Sequence, residues 1–423
     1  MRVGGKTRLS IEGERFLING WPVYREIPAA PSRVHGLLMN ARFIQGIFDD
    51  KADPRRFARF GWTTWDPERH TDELIQALPE WYRYGLRAFT VGLQGGGPVF
   101  TVENPTIDNN PFGADGKEMD PAYLGRLDRL IRAADALGMV VIVSILYQGQ
   151  SPRLRDGSAI RGAIRGTAEW LRAGGYTNVI IEVANEHTVG EFRKRPLVSD
   201  PECITTLLQM ARDSAGGIPV GVSGAGVEQT YEVAAASDVI LIHGNGARRQ
   251  DYYRFVKQVR SWELGKPILC NEDSPCFTNL DVAFRTGTSW GYYNNLTKQE
   301  PPAAWGIANA EDRFFARRMA RGLGLAVEEL AAEDRYLLDG LRDRWTVDGK
   351  RWVRLAAEFP ETVDLVEFFR NGELIDIAYQ EPFSVSYRAT WIQGGVETRS
   401  GDRWKAVVHL NDGRVIERVE ETR

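Results

Sequence analysis

Two short segments place acidic and amide side chains at the ends of apolar runs. NVIIEVAN, beginning at Asn178, leads into Asn185-Glu186-His187, and PILCNED, beginning at Pro267, closes in Asn271-Glu272-Asp273. An apolar, β-branched run of this length bounded by polar residues reads as a buried strand, and the acid after it stands at the strand's exposed end. Two carboxyl groups held close together cannot both ionise easily, so one keeps its proton and the other carries the charge. That combination supplies a general acid and a nucleophile from one residue type. Either glutamate alone would read equally well as a solvated loop residue or a helix cap; the pair on two equivalent elements is what points to chemistry. Neighbouring strand residues face opposite ways, so if Glu272 faces the site, Asp273 should not.

A pair so far apart in sequence needs a frame that brings many strand ends to one level. Eight apolar runs can supply it: GLLMNARFIQGIF from Gly36, LRAFTVGL from Leu86, MVVIVSILY from Met139, NVIIEVAN, IPVGVSG from Ile218, DVILIHG from Asp238, PILCNED, and TSWGYYN from Thr288. Amphipathic stretches such as HTDELIQALPEWYRYG and PAYLGRLDRLIRAADALG lie between them and end in glycine, as helix C-caps do. Strands alternating with helices predict an α/β fold, a (β/α)8 TIM barrel with its site at the C-terminal strand ends. Residues 8–24 predict a hairpin about Asn19-Gly20 that closes the opposite end. The Gly-, Pro- and Asn-rich residues 94–120 predict a long loop over the site, and residues 312–323 a last helix followed by a polar helical linker to about Arg344. From Trp345 onward, Asp348-Gly349, Asn371-Gly372 and Asp412-Gly413 separate short alternating strands. The expected division is therefore a barrel over residues 1–344 and a small all-β sandwich over residues 345–423.

The strand-four run closing in Asn-Glu and the strand-seven run closing in Glu resemble clan A glycoside hydrolases, including families 5 and 2, over roughly residues 7–325. The resemblance implies a retaining glycoside hydrolase acting on an oligosaccharide or polysaccharide, with Glu186 as acid/base, Glu272 as nucleophile and Asn185 on the sugar 2-hydroxyl. Such hydrolysis needs carboxyl groups about 5 Å apart. It further implies a substrate contact from His243 in LIHGNG and a sugar platform from Trp290 in SWGYY. Two positions depart from the pattern: Asn245 stands where a tyrosine is usual, and Thr90 where an arginine usually ends strand two. Those residues normally orient and pair with the nucleophile, and Arg42 on the first run is the candidate replacement. The C-terminal stretch VDLVEFFRNGELIDIAYQEPFSVSY resembles the bacterial immunoglobulin-like modules appended to carbohydrate-active enzymes. Clan membership implies an equatorial β-glycoside or a related furanoside, and the 94–120 loop could wall off one end of the cleft.

Gln94, Asp49 and Trp65 could line the same pocket, although Trp65 could equally pack over the next helix, and Asp49-Asp50 reads more readily as a loop cap. One alternative is a metal-dependent barrel hydrolase using His187, His243, Glu272 and Asp49, which lacks a His-x-His pair at the first strand. Another is a non-catalytic carbohydrate-binding barrel. No cofactor or metal is expected.

A net charge of -4 with no dense Lys/Arg stripe argues against a nucleic-acid partner. No run approaches a membrane span and MRVGGKTRLSIEGERF has no apolar leader core, so the expectation is a soluble chain, cytoplasmic or exported with its leader removed. Cys203, Cys270 and Cys276 lack zinc-site spacing and read as reduced thiols, Cys270 as a small core residue.

Overall fold

The computed structural model describes residues 5–58, 62–98, 101–274, 276–342, 346–347, 350–385 and 395–423. Eight short parallel strands fall on the eight apolar runs: β1 (Asn40–Arg42), β2 (Ala88–Gly92), β3 (Val140–Tyr147), β4 (Val179–Asn185), β5 (Val220–Gly221), β6 (Ile240–His243), β7 (Ile268–Glu272) and β8 (Gly291–Tyr292). Six form one sheet in the order β8-β1-β2-β3-β4-β5, and β7 pairs with β6 in a second. Backbone hydrogen bonds link the two sheets on both sides. Cys270 N–H donates to the Ser289 carbonyl at 3.0 Å and Tyr293 N–H to the Asp273 carbonyl at 3.0 Å, while Asp238 N–H donates to the Val220 carbonyl at 2.8 Å. Every residue of β3 and β4 is buried, as expected of parallel strands covered on both faces.

Helices cover these strands, and their starts are written locally. Asp66, Asp120 and Asp200 each accept backbone N–H groups of the first turn, and each precedes a proline at the first helical position. The carboxylate satisfies donors that have no intrahelical partner, and proline's fixed φ suits the first turn while its missing N–H costs nothing there. The helices bury one stripe each, such as Leu74, Leu78 and Trp81 in Pro67–Arg83, against the sheet.

Residues Leu9–Glu12, Arg15–Ile18 and Trp21–Pro22 form a three-stranded antiparallel sheet. The Asn19-Gly20 turn is present with both φ positive, and a second turn at Gly13 adds a strand beyond the expected hairpin. Leu9 N–H bonds the Thr177 carbonyl at 2.8 Å, which docks this sheet at the N-terminal end of β4, away from the strand ends that carry the glutamates.

The last helix of this region spans Ala310–Gly322, and the expected helical linker is absent among the described residues. Instead Tyr336–Asp339 is a strand paired with Arg354–Ala357, and Tyr336, Leu338 and Leu341 belong to a second hydrophobic cluster with Val366, Phe368, Trp404 and Val408. Tertiary pairing has overridden a locally helical composition, and the second cluster begins about nine residues before the expected boundary at 345. A four-stranded antiparallel sheet (Glu373–Ala378, Val363–Arg370, Arg403–Leu410, Val415–Glu421) follows, with Asn371-Gly372 and Asp412-Gly413 at its turns. The expected Asp348-Gly349 turn lies outside the described residues.

The two clusters meet across a charged seam. Arg354 Nη1 lies 2.8 Å from Glu311 Oε2, Arg317 Nε lies 2.7 Å from Glu358 Oε1, and Glu381 accepts from the Thr278 hydroxyl. Burial pushes the carboxyls of Glu311 and Glu381 up to about 7, in Glu311 against the opposing pull of Arg354, and burial pushes that of Asp273 up to about 8. Each therefore holds a proton more tightly folded than unfolded, so the native state binds more protons above the ordinary carboxylate range and stability falls as pH rises through about 5 to 8. The melting temperature should drop across that interval, and Glu381→Gln should flatten the drop. A melting temperature that rises over this window would contradict the burial argument.

Candidate active site

β4 and β7 each end in a departure from regular strand geometry, one at Glu186 and one directly before Glu272. Strict alternation from the inward-facing Glu182 would send Asn185 and Glu186 to different faces. Glu186 instead has φ of +53°, a left-handed conformation that is uncommon for a residue with a Cβ and tends to mark functional sites. In β7 the pairing with β6 slips between Cys270 and Glu272, so that Asn271 is the extra residue of a bulge. A bulge re-aims the side chains that follow it. Asn271 and Glu272 both turn to the site, and Asp273 turns away.

The result is a cluster in which one carboxyl oxygen of Glu186, one of Glu272 and a ring nitrogen of His243 all lie within 4.8 Å of one another. His243 Nδ1 is 3.1 Å from Glu186 Oε1 and 3.6 Å from Glu272 Oε2. Arg42 places Nε 2.6 Å from Glu272 Oε2 and donates from Nη2 to Asn185 Oδ1 at 2.7 Å. Asn245 Nδ2 donates to Glu272 Oε1 at 2.6 Å. Glu272 is 6 % exposed at its side chain and Glu186 20 %, so the buried partner has the fixed cation and the more open one is free to meet solvent. Burial opposes the imidazolium of His243, but Glu272 and then Glu186 outweigh it and raise its proton affinity.

Arg42 and Thr90 are register partners across β1 and β2. From the height of Thr90 on the neighbouring strand, Arg42 reaches the Glu272 carboxylate, and Asn245 takes a donor position beside it.

Other expected residues are placed elsewhere. Trp290 is fully buried, donates from Nε1 to Asp273 Oδ2 at 2.8 Å and packs on Phe315 of the last helix, so it presents no face to a ligand. Tyr292 stacks on the same Phe315, and the residue of opposite parity, Tyr293, comes beside Arg42, with the guanidinium carbon 5.6 Å from its ring centre. Gln94 is spent on structure: its Oε1 accepts Tyr147 N–H at 2.9 Å and its Nε2 donates to Asn110 at 2.8 Å, stapling the long loop to β3. Asp49 accepts the Trp65 indole N–H at 3.1 Å, and Asp50 caps backbone N–H groups of Ala52 and Asp108. Trp65 itself packs among Phe48, Phe57 and His70. Cys270 is buried, with its thiol pushed up first by burial and then by Asp273.

Tyr147 and Tyr293 were not singled out in the sequence. Burial and then Glu186 hold the Tyr147 phenol protonated, and burial and then Glu272 do the same for Tyr293, so both are neutral donors at the site. The available signal was that Tyr147 closes the third apolar run and that Tyr293 stands one residue off the Trp290 and Tyr292 face.

Of the four residues considered as metal ligands, only His243 and Glu272 come together. His187 Nδ1 lies 3.0 Å from the Val198 carbonyl and Asp49 is held by Trp65. Glu186, His243 and Glu272 could converge on a cation, but the permanent charge of Arg42 at 2.6 Å from Glu272 opposes one. Among the described residues no helix is long and apolar enough to cross a membrane.

No protein-family profile matches the chain, and no curated sequence matches it. Solved structures do. A candidate glycoside hydrolase from Bacteroides vulgatus ATCC 8482 superposes with a TM-score of 0.51 at 11% identity, over 98% of this chain and 76% of that one. A trimodular GH5_4 subfamily endoglucanase gives 0.49 at 12% identity, covering 91% and 78%, and an endo-β-1,4-mannanase from Thermotoga petrophila gives 0.46 at 11%, covering 91% and 97%. The first of these shows a shared fold; the other two are too distant to carry an argument.

Proposed function

We propose that this chain is a retaining glycoside hydrolase acting on an oligosaccharide or polysaccharide, with Glu272 as nucleophile and Glu186 as acid/base. The observation that carries the reading is the approach of Glu186 and Glu272 carboxyl oxygens to within 4.8 Å at the ends of β4 and β7. Retention by double displacement uses carboxyl groups about 5 Å apart, whereas inversion leaves about 6.5–9.5 Å for an intervening water. The same reading takes the two parallel sheets as one closed eight-stranded barrel and residues 336–423 as an appended β-sandwich of the immunoglobulin-like kind. The fold shared with the Bacteroides protein supports the barrel.

In this mechanism the Glu272 carboxylate attacks the anomeric carbon while Glu186 passes its proton to the departing glycosidic oxygen. Water then displaces Glu272 from the sugar, with Glu186 taking the proton back. Arg42 and Asn245 hold both oxygens of Glu272, which aims the attacking lone pair and removes rotamer freedom before substrate arrives. Asn185 gives its amide oxygen to Arg42 and keeps its amide nitrogen to donate to a sugar hydroxyl. His243, between the two carboxyls, is the cation that offsets their combined charge as the proton moves.

A panel of aryl β-glycosides, with the anomer of the first-formed product followed by proton NMR, tests the proposal. The expected product keeps the β configuration and turnover survives a chelator. An α product would overturn retention; activity lost to the chelator would favour metal-assisted hydrolysis; saccharide binding without turnover across the panel would favour a binding protein.

A further inference from the structure

A third carboxyl lies beneath the pair. Glu182, in the middle of β4, is fully buried and belongs to neither step of the mechanism. Its Oε1 accepts the Ser223 hydroxyl at 2.7 Å and Asn271 Nδ2 at 3.0 Å. Ser223 in turn accepts the backbone N–H of Glu186 at 3.1 Å, at the residue whose φ is left-handed. Asn271 is the bulge residue directly before Glu272. One oxygen therefore ties both departures from strand geometry together, one through a serine on the β5 side and one through an asparagine on β7. His243 closes the circuit from above, with Nε2 3.9 Å from the same oxygen.

We propose that Glu182 is a positioning residue that sets the separation of Glu186 and Glu272 through Ser223 and Asn271 and balances the proton count of the cluster through His243. This rests on the glycosidase reading. A buried carboxylate must be hydrogen-bonded and charge-balanced to persist, and three carboxyls here face one guanidinium, Arg42, and one imidazole. Among the described residues the other titratable groups acting on the cluster are the phenols of Tyr147 on β3 and Tyr293 after β8, both neutral, and Asp273, which acts on His243 and whose carboxyl burial pushes up to about 8. The set is neutral when it holds two protons, one of them on His243, whose proton affinity the carboxyls raise, and the other on a carboxyl. That is the resting state the mechanism requires, with Glu272 ionised and Glu186 carrying the proton. Glu182 supplies the third negative charge that demands the second proton.

Geometry and charge can be separated by substitution. Glu182→Gln keeps an oxygen that accepts from Ser223 and Asn271 but removes the charge, so the cluster needs one proton fewer. Its kcat should stay within a few-fold of wild type on the acid side, and the alkaline limb of kcat/KM should move down by about one pH unit. Ser223→Ala keeps the charge but releases the Glu186 backbone. It should lower kcat by about 10-fold to 100-fold with KM nearly constant, as displacement of a reacting group does. A residue that merely stabilised the fold would lower the melting temperature without moving the pH limb or kcat per folded molecule.

The measurement is kcat, KM and pH profile on an activated aryl glycoside for Glu182→Gln and Ser223→Ala, beside azide rescue of Glu272→Gly. Rescue at Glu272 together with wild-type kcat and an unmoved limb in both other variants would overturn the positioning role and leave the glycosidase reading standing. Failure of azide rescue would count against the reading instead. The crystal structure of Ser223→Ala then decides the positioning role, which an unchanged Glu186 to Glu272 distance would overturn.

Discussion

Glu272→Gly should lose on the order of 10⁴-fold or more of kcat on every substrate, because among the described residues no other carboxylate stands where it could form the glycosyl-enzyme. Glu186 is within 4.8 Å but is engaged with His243, and Glu182 is fully buried below. Removing the Glu272 side chain opens a space beside Arg42 and Asn245, which otherwise grip both its oxygens. A small anion such as azide fits there and, with an activated aryl β-glycoside, should restore turnover and give an α-glycosyl azide, inverted because one displacement replaces two. Glu186→Ala should fail differently. A good leaving group needs no proton, so Glu272 is still glycosylated, the intermediate accumulates, and azide attacking it gives a β-glycosyl azide of retained configuration. The opposite stereochemical pattern would exchange the two roles, and full activity in both variants would end the glycosidase proposal.

Arg42→Met should be nearly as damaging, through stability as well as rate. Arg42 is 1 % exposed at its side chain, bridges Glu272 and Asn185, and lies against Tyr293. Methionine fills much of the volume but leaves a buried carboxylate without its cation and the Asn185 oxygen without a donor. Breaking a buried pair from one side costs about 3–5 kcal/mol, mostly for the charge left behind. Turnover should fall by about 10²-fold to 10³-fold, since Glu272 loses the guanidinium that aims it. Denaturant unfolding of Arg42→Met, Glu272→Gln and the double variant measures the coupling. The double variant should be more stable than Arg42→Met, because neutral glutamine needs no counter-ion. Additive losses would show that Arg42 acts by packing alone.

Much of the frame is legible in adjacent residues. Apolar runs bounded by polar ones mark eight strands, Asp-Pro steps mark helix starts, and Asn-Gly and Asp-Gly pairs mark hairpin turns, because each signal is a local backbone preference. The two glutamates could be found for the same reason: each stands at the end of an apolar run. Trp290 and Gln94 show where that reading stops. Trp290 matches an expected aromatic by position, but which of Trp290, Tyr292 and Tyr293 faces the carboxyls depends on the phase of β8 against its neighbours. Gln94 opens a long loop, yet its amide is consumed by Tyr147 and Asn110, contacts made only when the loop lies down on β3.

What the sequence by itself determined is therefore the order of the elements and the residues that stand at strand ends. Tertiary structure alone decided which way those residues point. The bulge at Asn271 shifts side-chain phase by one residue, and a one-residue shift in a period of two exchanges the inner and outer faces. Arg42 standing in register with Thr90, and Glu182 reaching both Ser223 and Asn271, depend on alignments between strands far apart in the chain. The early start of the second cluster at Tyr336 likewise follows from pairing with Arg354–Ala357. Such pairings are set by packing across the whole molecule, which no window of adjacent residues contains.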